Sequence, residues 1–140
     1  MKIAIVYWSG TGNTEMMAQA VMEGAASGGA EVDLMTSADF SESMVPDYDA
    51  IAFGCPSMGA EVLEESEFDP MFTACESALA GKKLVLFGSY DWGDGEWMRS
   101  WEDRCRDIGA ELAAEGLICN LTPDDEALAQ CRDLGAALLS

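Results

Sequence analysis

Short apolar runs alternate with segments of helical periodicity along the whole chain, and this alternation limits the fold more than any other feature. The spacing predicts strands over residues 2–8, 31–35, 50–53, 83–87 and 111–119. Helices are predicted over residues 13–27, 68–79 and 96–108, and a last helix follows Thr122 as its cap and Pro123 as its first residue. Such a chain folds as an α/β protein, with a doubly wound, five-stranded parallel sheet and helices on both faces.

The composition indicates one acidic domain. The 140 residues are 49% hydrophobic, which is enough for a core, so we expect a single domain over residues 1–140. Acidic residues number 26 against seven Lys and Arg, and the formal net charge is −19. This charge excludes nucleic acid and anionic membranes as partners and favours basic protein surfaces. Solubility alone would explain the acidity equally well. We expect a monomer.

The cysteines and the absence of histidine exclude several kinds of site. The five cysteines are odd in number and lie outside any C-x-x-C spacing, so neither a disulfide framework nor a zinc site is expected. Without histidine there is no Ser–His triad and no bound metal is predicted. No signal peptide and no apolar run of membrane-spanning length is expected. These features predict a reduced, cytoplasmic protein.

Three polar loops follow predicted strands, at the edge of a parallel sheet where ligands bind. The first, residues 9–14, has two glycines, three hydroxyls and no Lys or Arg, and it precedes a helix. Main-chain N–H groups and hydroxyls in such a loop can hold a phosphate. The second and third loops, residues 54–61 and 88–97, carry Met58 and Trp92. Two large side chains suit a flat heterocycle between them, although ordinary packing at the sheet edge would also account for each.

Several motifs in these loops match one family. They are YWSGTGNTE at residues 7–15, MG at 58–59, EVLEESE at 61–67, FGSY at 87–90 and WGDG at 92–95. With them the chain resembles the flavodoxins over essentially its whole length, and the lack of a long insertion in the last strand is similar to the short-chain type of anaerobic bacteria. The resemblance implies the strand order 2-1-3-4-5 and one noncovalent FMN. It also implies a low-potential, one-electron carrier rather than an enzyme, so no catalytic residue is expected.

The resemblance also implies which residues contact FMN. The phosphate would be held by the first loop, the ring would be flanked by Met58 and Trp92, and Glu61 would accept a hydrogen bond from the pyrimidine N–H. Amides around residues 89–91 would line the pyrimidine edge. The full expected set is Ser9, Gly10, Thr11, Gly12, Asn13, Thr14, Pro56, Ser57, Met58, Gly59, Ala60, Glu61, Ser89, Tyr90, Asp91, Trp92 and Gly93.

Two features would tune such a flavin. Because Gly59 lacks a Cβ, the Gly59–Ala60 peptide can turn over and accept a hydrogen bond from the reduced flavin N5–H. A net bond of about 1 kcal/mol corresponds to about 40 mV for one electron and would favour the neutral semiquinone. Acidic residues beside the flavin would disfavour the second electron, since one further charge at ~10 Å costs about 0.4–1.7 kcal/mol.

The acidic residues cluster after the second and third loops. We expect them to rim the exposed flavin edge and to dock basic patches on redox partner proteins; a merely solvated acidic face is the alternative. The ten residues are Glu61, Glu64, Glu65, Glu67, Asp69, Asp91, Asp94, Glu96, Glu102 and Asp103.

Asp91 and Ala60 depart from the pattern of the family. Asp91 stands where short-chain flavodoxins usually have glycine, so a positive φ there would cost strain. The residue predicts weaker FMN binding or a more negative potential. Ala60 bears on how firmly the turned peptide is held.

Three other functions deserve comparison. An FMN-dependent quinone or NAD(P)H oxidoreductase remains the alternative, although this chain has little room for a substrate site. A phospho-receiver needs an acidic pair and a phosphoacceptor Asp where Ser9-Gly10 and Cys55-Pro56 stand. A phosphate-loop nucleotidase needs a Gly-Lys-Thr or Gly-Lys-Ser sequence, which is missing.

Overall fold

The computed structural model describes residues 1–139. Strands and helices alternate as the periodicity predicts. The strands are β1 (Lys2–Tyr7), β2 (Glu31–Thr36), β3 (Ala50–Gly54), β4 (Lys83–Tyr90), β5 (Glu111–Leu112) and β6 (Leu117–Asn120). The helices are α1 (Asn13–Ser27), α2 (Phe68–Cys75), α3 (Glu96–Asp107) and α4 (Asp125–Ala137). Within the described residues, no helix is long and apolar enough to cross a membrane.

All strand pairs are parallel, and the sheet order is β2-β1-β3-β4-β5, as expected. The fifth position is divided between two short strands. β5 pairs with the beginning of β4, and β6 pairs with its end, from Phe87 to Tyr90. The break between them contains Gly116, whose N–H leaves the ladder and donates to Glu102 Oε2 at 2.8 Å. The interruption that Glu115-Gly116 predicts is therefore real.

Helices cover both faces of the sheet. On one face α2 and α3 pack an aromatic cluster against β3, in which Phe53, Phe68, Phe72 and Trp101 meet mostly edge to face. On the other face α1 and α4 pack against alternate residues of the same strands. These two helices can approach closely because Gly24 has no Cβ. A Cβ at this position would lie only 1.9 Å from the Arg132 carbonyl oxygen. The doubly wound arrangement is confirmed.

Three boundaries differ from the prediction. Gly88 does not end β4, which continues to Tyr90. The role of this glycine is to make room for the Cys55 carbonyl oxygen, which lies 2.1 Å from where a Cβ would stand. The second predicted helix, 68–79, ends as α2 at Cys75 and continues as a 3-10 turn. The cap of α4 is Asp124 rather than Thr122: its carboxylate accepts from Ala127 N at 2.8 Å, so Pro123 precedes the cap instead of opening the helix.

The Glu64 carboxylate accepts hydrogen bonds from backbone N–H groups at the beginning of α2. Its position in the sequence suggested instead an exposed residue beside the flavin edge. Only 7% of Glu64 is exposed. Its Oε1 accepts from the N–H groups of Glu67 (2.7 Å) and Phe68 (2.9 Å), and its Oε2 accepts from the N–H (2.9 Å) and hydroxyl of Ser66. The expectation that Glu64 belongs to a docking rim is wrong, because these donors hold the side chain inside the protein.

Capping by Glu64 should make the fold sensitive to acid. Burial alone would raise the pKa of this carboxyl, but the hydrogen bonds from Ser66, Phe68 and Glu67 outweigh it and lower the pKa from 4.5 to about 2. A depressed folded-state pKa stabilises the fold above pH 4.5, and that contribution disappears as the pH falls toward 2. We expect Glu64→Gln to lower the free energy of unfolding of the apoprotein by about 1.5–3 kcal/mol at pH 7.

Urea unfolding of both proteins between pH 7 and pH 3 checks this prediction. The difference between wild type and Glu64→Gln should shrink as the pH falls. The neighbouring, exposed Glu65→Gln serves as the matched control and should change stability little. A Glu64→Gln difference that stays constant with pH would contradict the assigned role.

Candidate cofactor site

The first loop is organised by the Ser9 hydroxyl. Ser9 Oγ accepts from the N–H groups of Gly12 at 3.0 Å and Glu15 at 3.3 Å. Gly12 adopts φ +96° directly before α1, a conformation that favours glycine, and has no side chain of its own to cap the helix. The first turn of α1 therefore brings main-chain N–H groups beside the Ser9 hydroxyl, a combination that suits an anion. Thr11 adds a hydroxyl, whose Oγ1 lies 3.5 Å from Asn13 N.

Thr14 lies apart from the rest of this loop. Its side chain is 1% exposed, and its hydroxyl lies 3.0 Å from Ser89 Oγ and accepts from Ser89 N at 3.4 Å. Ser89 belongs to β4, not to a loop as its position after Gly88 had suggested. The pair joins the beginning of α1 to the end of β4 and so fixes the distance between the first and third loops.

The second loop closes as a tight turn. Met58 and Val62 exchange two backbone hydrogen bonds, at 2.8 and 2.9 Å, and residues 59–61 form the tip. Gly59 has φ +50°, and Glu61 has φ +57°. The backbone of Ser57 donates to Ser89 O at 3.0 Å, so the loop continues the β3–β4 pairing. Gly59 and Ala60 are exposed at the tip, where a peptide can turn without steric cost.

Glu61 joins the second loop to the third. Its Oε1 accepts from Asp94 N at 3.1 Å, and a Cβ on Gly93 would lie only 1.3 Å from that oxygen. Gly93, at φ +89°, is therefore favoured by its conformation, and a side chain there would displace the Glu61 carboxylate. Within residues 1–139 the other carboxylate oxygen, Oε2, is buried and has no hydrogen-bond partner. A buried, unpartnered acceptor fits a ligand N–H donor.

One cleft joins the three loops at the carboxyl ends of the strands. It has a volume of about 110 Å³ and is lined by Trp8, Gly10, Thr11, Pro56, Ser57, Met58, Ser89, Tyr90 and Asp91. A larger hollow of about 370 Å³ lies between α1, β2 and α4, but none of the polar loops reaches it. The smaller cleft is the better candidate because it unites the loop ends where β1 and β3, the strands at the switch point, finish.

The expected residues fall into three groups around this cleft. Eight line it, while Gly59 and Ala60 lie at the tip of the second loop, beside Glu61 and Gly93. Four more lie in the first loop and at the beginning of α1 without lining the cleft: Ser9, Gly12, Asn13 and Thr14. Trp92, which is expected to flank the ring together with Met58, does not line the cleft and is 60% exposed. Trp8 lines the cleft and was missed. Its ring lies 3.1 Å from where a Cβ on Gly10 would stand. A large aromatic residue two positions before a glycine was therefore the sequence signal that could have identified Trp8.

Comparisons with known proteins agree with this geometry. The flavodoxin family model matches residues 5–135. The flavodoxin of Megasphaera elsdenii is 44% identical over 135 residues, 96% of each chain, and that of Clostridium beijerinckii is 44% identical over 131 residues, 94% of each chain. The solution structure of two-electron reduced Megasphaera elsdenii flavodoxin superimposes with a TM-score of 0.89 over 97% of each chain, at 43% identity.

The chain belongs to the flavodoxin family. It is an FMN-binding electron carrier and not an enzyme, and the oxidoreductase alternative is not favoured. The residues present fit FMN on two observations of this structure. The beginning of α1 offers main-chain donors beside the hydroxyls of Ser9 and Thr11, and Glu61 Oε2 is a buried acceptor that lacks a donor among the described residues.

In this flavodoxin, Asp91 does not adopt the positive φ that glycine would suggest. Among residues 1–139, Glu61 and Leu121 are the non-glycine residues with positive φ. The strain considered for Asp91 is therefore not present, and only the effect of its charge remains. The backbone carbonyl oxygen of Asp91 lies 3.5 Å from Asn120 Nδ2.

The acidic rim is smaller than the sequence suggested. Besides Glu64, which is buried, Asp94 pairs with Arg99 at 2.9 Å, and Glu102 accepts from Gly116 N. Two more acids pair with arginines, Asp69 with Arg104 and Asp103 with Arg106. Glu61 is half-buried, and its Oε1 accepts from Asp94 N. We define the acidic rim as the four remaining residues, all of them exposed: Glu65, Glu67, Asp91 and Glu96.

Because Asp91 does not have a positive φ, substitutions at this position are expected to act through its charge and not through relief of backbone strain. We expect Asp91→Asn and Asp91→Gly to raise both one-electron midpoint potentials alike, on the order of 20 mV, because each removes one charge near the cleft. Spectroelectrochemical titration measures this, with exposed Asp107→Asn at the far end of α3 as the control. Unchanged potentials in both variants, or much tighter FMN binding in the glycine variant alone, would contradict this assignment.

Proposed function

We propose that the cleft between the three loops holds FMN, with its phosphate at the first turn of α1 and its ring between the second and third loops. The observation that carries this proposal is one cleft lined by residues of all three loops, two of which are also joined by Glu61, whose Oε2 is buried and without a partner among the described residues. When bound, FMN supplies the one-electron redox chemistry, and the protein determines its position and its electrostatic surroundings.

The first loop would hold the phosphate with dipoles alone. The N–H groups of Asn13 and Thr14 belong to the first turn of α1, and the partial positive charge of the helix terminus is concentrated there. Ser9 holds the loop in shape through its two accepted hydrogen bonds and retains its own O–H to donate. Thr11 adds a second hydroxyl at the cleft. No cation is needed because long-range repulsion is screened beyond about 8–10 Å.

The second and third loops would orient the ring. Met58 lines the cleft, while exposed Trp92 is free to cover one face of a flat ligand. Glu61 Oε2 would accept from the pyrimidine N–H, since its Oε1 is already held by Asp94 N. The Gly59–Ala60 peptide lies at an exposed tip, where it can turn to present its carbonyl.

A low potential is supported by the distribution of charge. Asp91 lines the cleft, and Glu61 lies at the tip of the second loop, so the loops that would hold the ring carry two carboxylates. Lys and Arg are missing from the residues that line it. A negative field of this kind opposes the addition of electrons to a bound group.

Loss of the Ser9 hydroxyl tests the proposed phosphate site. Apoprotein should take up FMN, and Ser9→Ala should weaken FMN about 5- to 30-fold, because Gly12 and Glu15 lose their shared acceptor. Riboflavin, which lacks the phosphate, should bind wild type and variant alike in fluorescence titrations. Exposed Ser43→Ala is the matched control. Failure of wild-type apoprotein to bind FMN would overturn the proposed site, and an equal loss for riboflavin would overturn the role of this loop.

We further propose that the acidic rim docks basic surfaces on redox partners. The four rim residues are exposed, and Asp91 lines the cleft, so they can attract a positive surface and speed its encounter. The cytoplasm is the proposed location, supported by five cysteines that are free and buried, as in a reducing compartment. A monomer is supported by the self-repulsion that a charge of −19 produces.

Salt dependence tests the docking proposal. Electron transfer from the reduced protein to a basic c-type cytochrome should slow as ionic strength rises. Glu65→Gln/Glu67→Gln should reduce that dependence, whereas Glu31→Gln/Glu111→Gln, which removes two charges at strand beginnings on the opposite edge, should leave it nearly unchanged. A rate that is indifferent to ionic strength would rule out electrostatic docking.

A further inference from the structure

Asn120 lies outside the three loops but contacts the backbone of the third. It is the last residue of β6, and its Nδ2 lies 3.1 Å from the carbonyl oxygen of Tyr90 and 3.5 Å from that of Asp91. The backbone N–H of Leu121 donates to the same Tyr90 oxygen at 2.8 Å. Two consecutive carbonyls at the beginning of the third loop are thus held toward β6.

The orientation of the Asn120 amide follows from its neighbours. Both are carbonyl oxygens, which only accept hydrogen bonds, so the NH₂ group must face them. Its two hydrogens can serve one carbonyl each. An acidic side chain of the same shape would place an acceptor against two acceptors and would lose both contacts.

Holding a carbonyl also fixes the N–H of the same peptide. The peptide group is planar and trans, so its N–H points opposite to its C=O. With the Tyr90 and Asp91 carbonyls toward β6, the N–H groups of Asp91 and Trp92 point away from β6. Tyr90 and Asp91 line the cleft on that side, across from Ser57 and Met58.

We propose that Asn120 is a positioning residue that aims the Asp91 and Trp92 N–H groups at the pyrimidine edge of FMN. This inference rests on the proposed location of FMN and adds a residue from β6 to it. The pyrimidine edge collects negative charge as the flavin is fully reduced, so the two aimed dipoles matter most for the second electron.

The backbone of Leu121 supports this assignment independently. Leu121 has φ +61°, an unfavourable conformation for a leucine, and its side chain is 51% exposed. Core packing therefore does not explain the conformation. What it achieves is the hydrogen bond from Leu121 N to Tyr90 O. Strain of this kind persists where the surrounding structure requires it, commonly beside a functional site.

The test uses two substitutions of Asn120, one that removes the amide group and one that keeps the shape of the side chain. Asn120→Ala removes the side chain, and Asn120→Asp keeps its shape but removes the donors. We expect each to weaken both FMN and riboflavin about 3- to 10-fold, because both ligands carry the pyrimidine edge. The second midpoint potential should fall by up to about 60 mV, the one-electron equivalent of tenfold. Exposed Thr122→Ala, two residues on, is the matched control and should behave as wild type.

Inorganic phosphate separates positioning from general damage. Its affinity for apoprotein should be the same in wild type and in both Asn120 variants, since the first loop is intact. Wild-type affinities and potentials in both variants would overturn the inference, as would wild-type behaviour of Asn120→Asp alone, which would indicate packing. An equal loss of phosphate affinity would also overturn it. Wild-type protein that binds neither FMN nor riboflavin would instead overturn the proposed site itself.

Discussion

The continuation of β3–β4 pairing past the end of β3 is the interaction on which the site depends. Cys55 N donates to Phe87 O and Ser57 N to Ser89 O, both at 3.0 Å. Gly88 allows the Cys55 carbonyl to approach, and that carbonyl accepts from Trp97 Nε1 at 3.2 Å. The second loop is thereby joined to β4 and α3 before it turns. Without these contacts, loops that leave neighbouring parallel strands would diverge, and no cleft would form between them.

The third loop is held at both ends by residues that are distant in sequence. Asn120 and Leu121 hold its beginning, and Glu61 holds Asp94 near its end. Glu61 and Leu121 are also the two non-glycine residues with positive φ among residues 1–139. The conformational cost of each residue is offset by a hydrogen bond to the same loop. A loop so held presents its N–H groups without reorganisation when a ligand binds, which is an advantage for a carrier that must tune one cofactor.

Periodicity and glycine placement predicted the strands, the helices and the three loops because those signals are local. Asn13–Ser27 was predicted to the residue, since its apolar stripe and its flanking glycines are sufficient. Contacts between distant residues were not predictable in this way. Glu64 is an acidic residue in an acidic segment, and only the folded backbone shows three N–H groups converging on it. Asn120 likewise ends an unremarkable strand, and its role depends on β6 pairing with β4 rather than on any pattern.

The positions of the seven Lys and Arg residues explain why no positively charged side chain lines the cleft. Lys2 and Lys83 begin β1 and β4, at the sheet edge opposite the cleft, and Lys82 donates to the Tyr48 carbonyl oxygen. Arg104 is held between α2 and α3 by Asp69 and Glu76, and Arg106 and Arg132 pair with acids on helices. Arg99 follows the third loop closely, yet its guanidinium is bound to Asp94. A phosphate bound at α1, as proposed, would meet dipoles instead of side-chain cations, and no Lys or Arg lines the cleft to neutralise the charge that reduction adds.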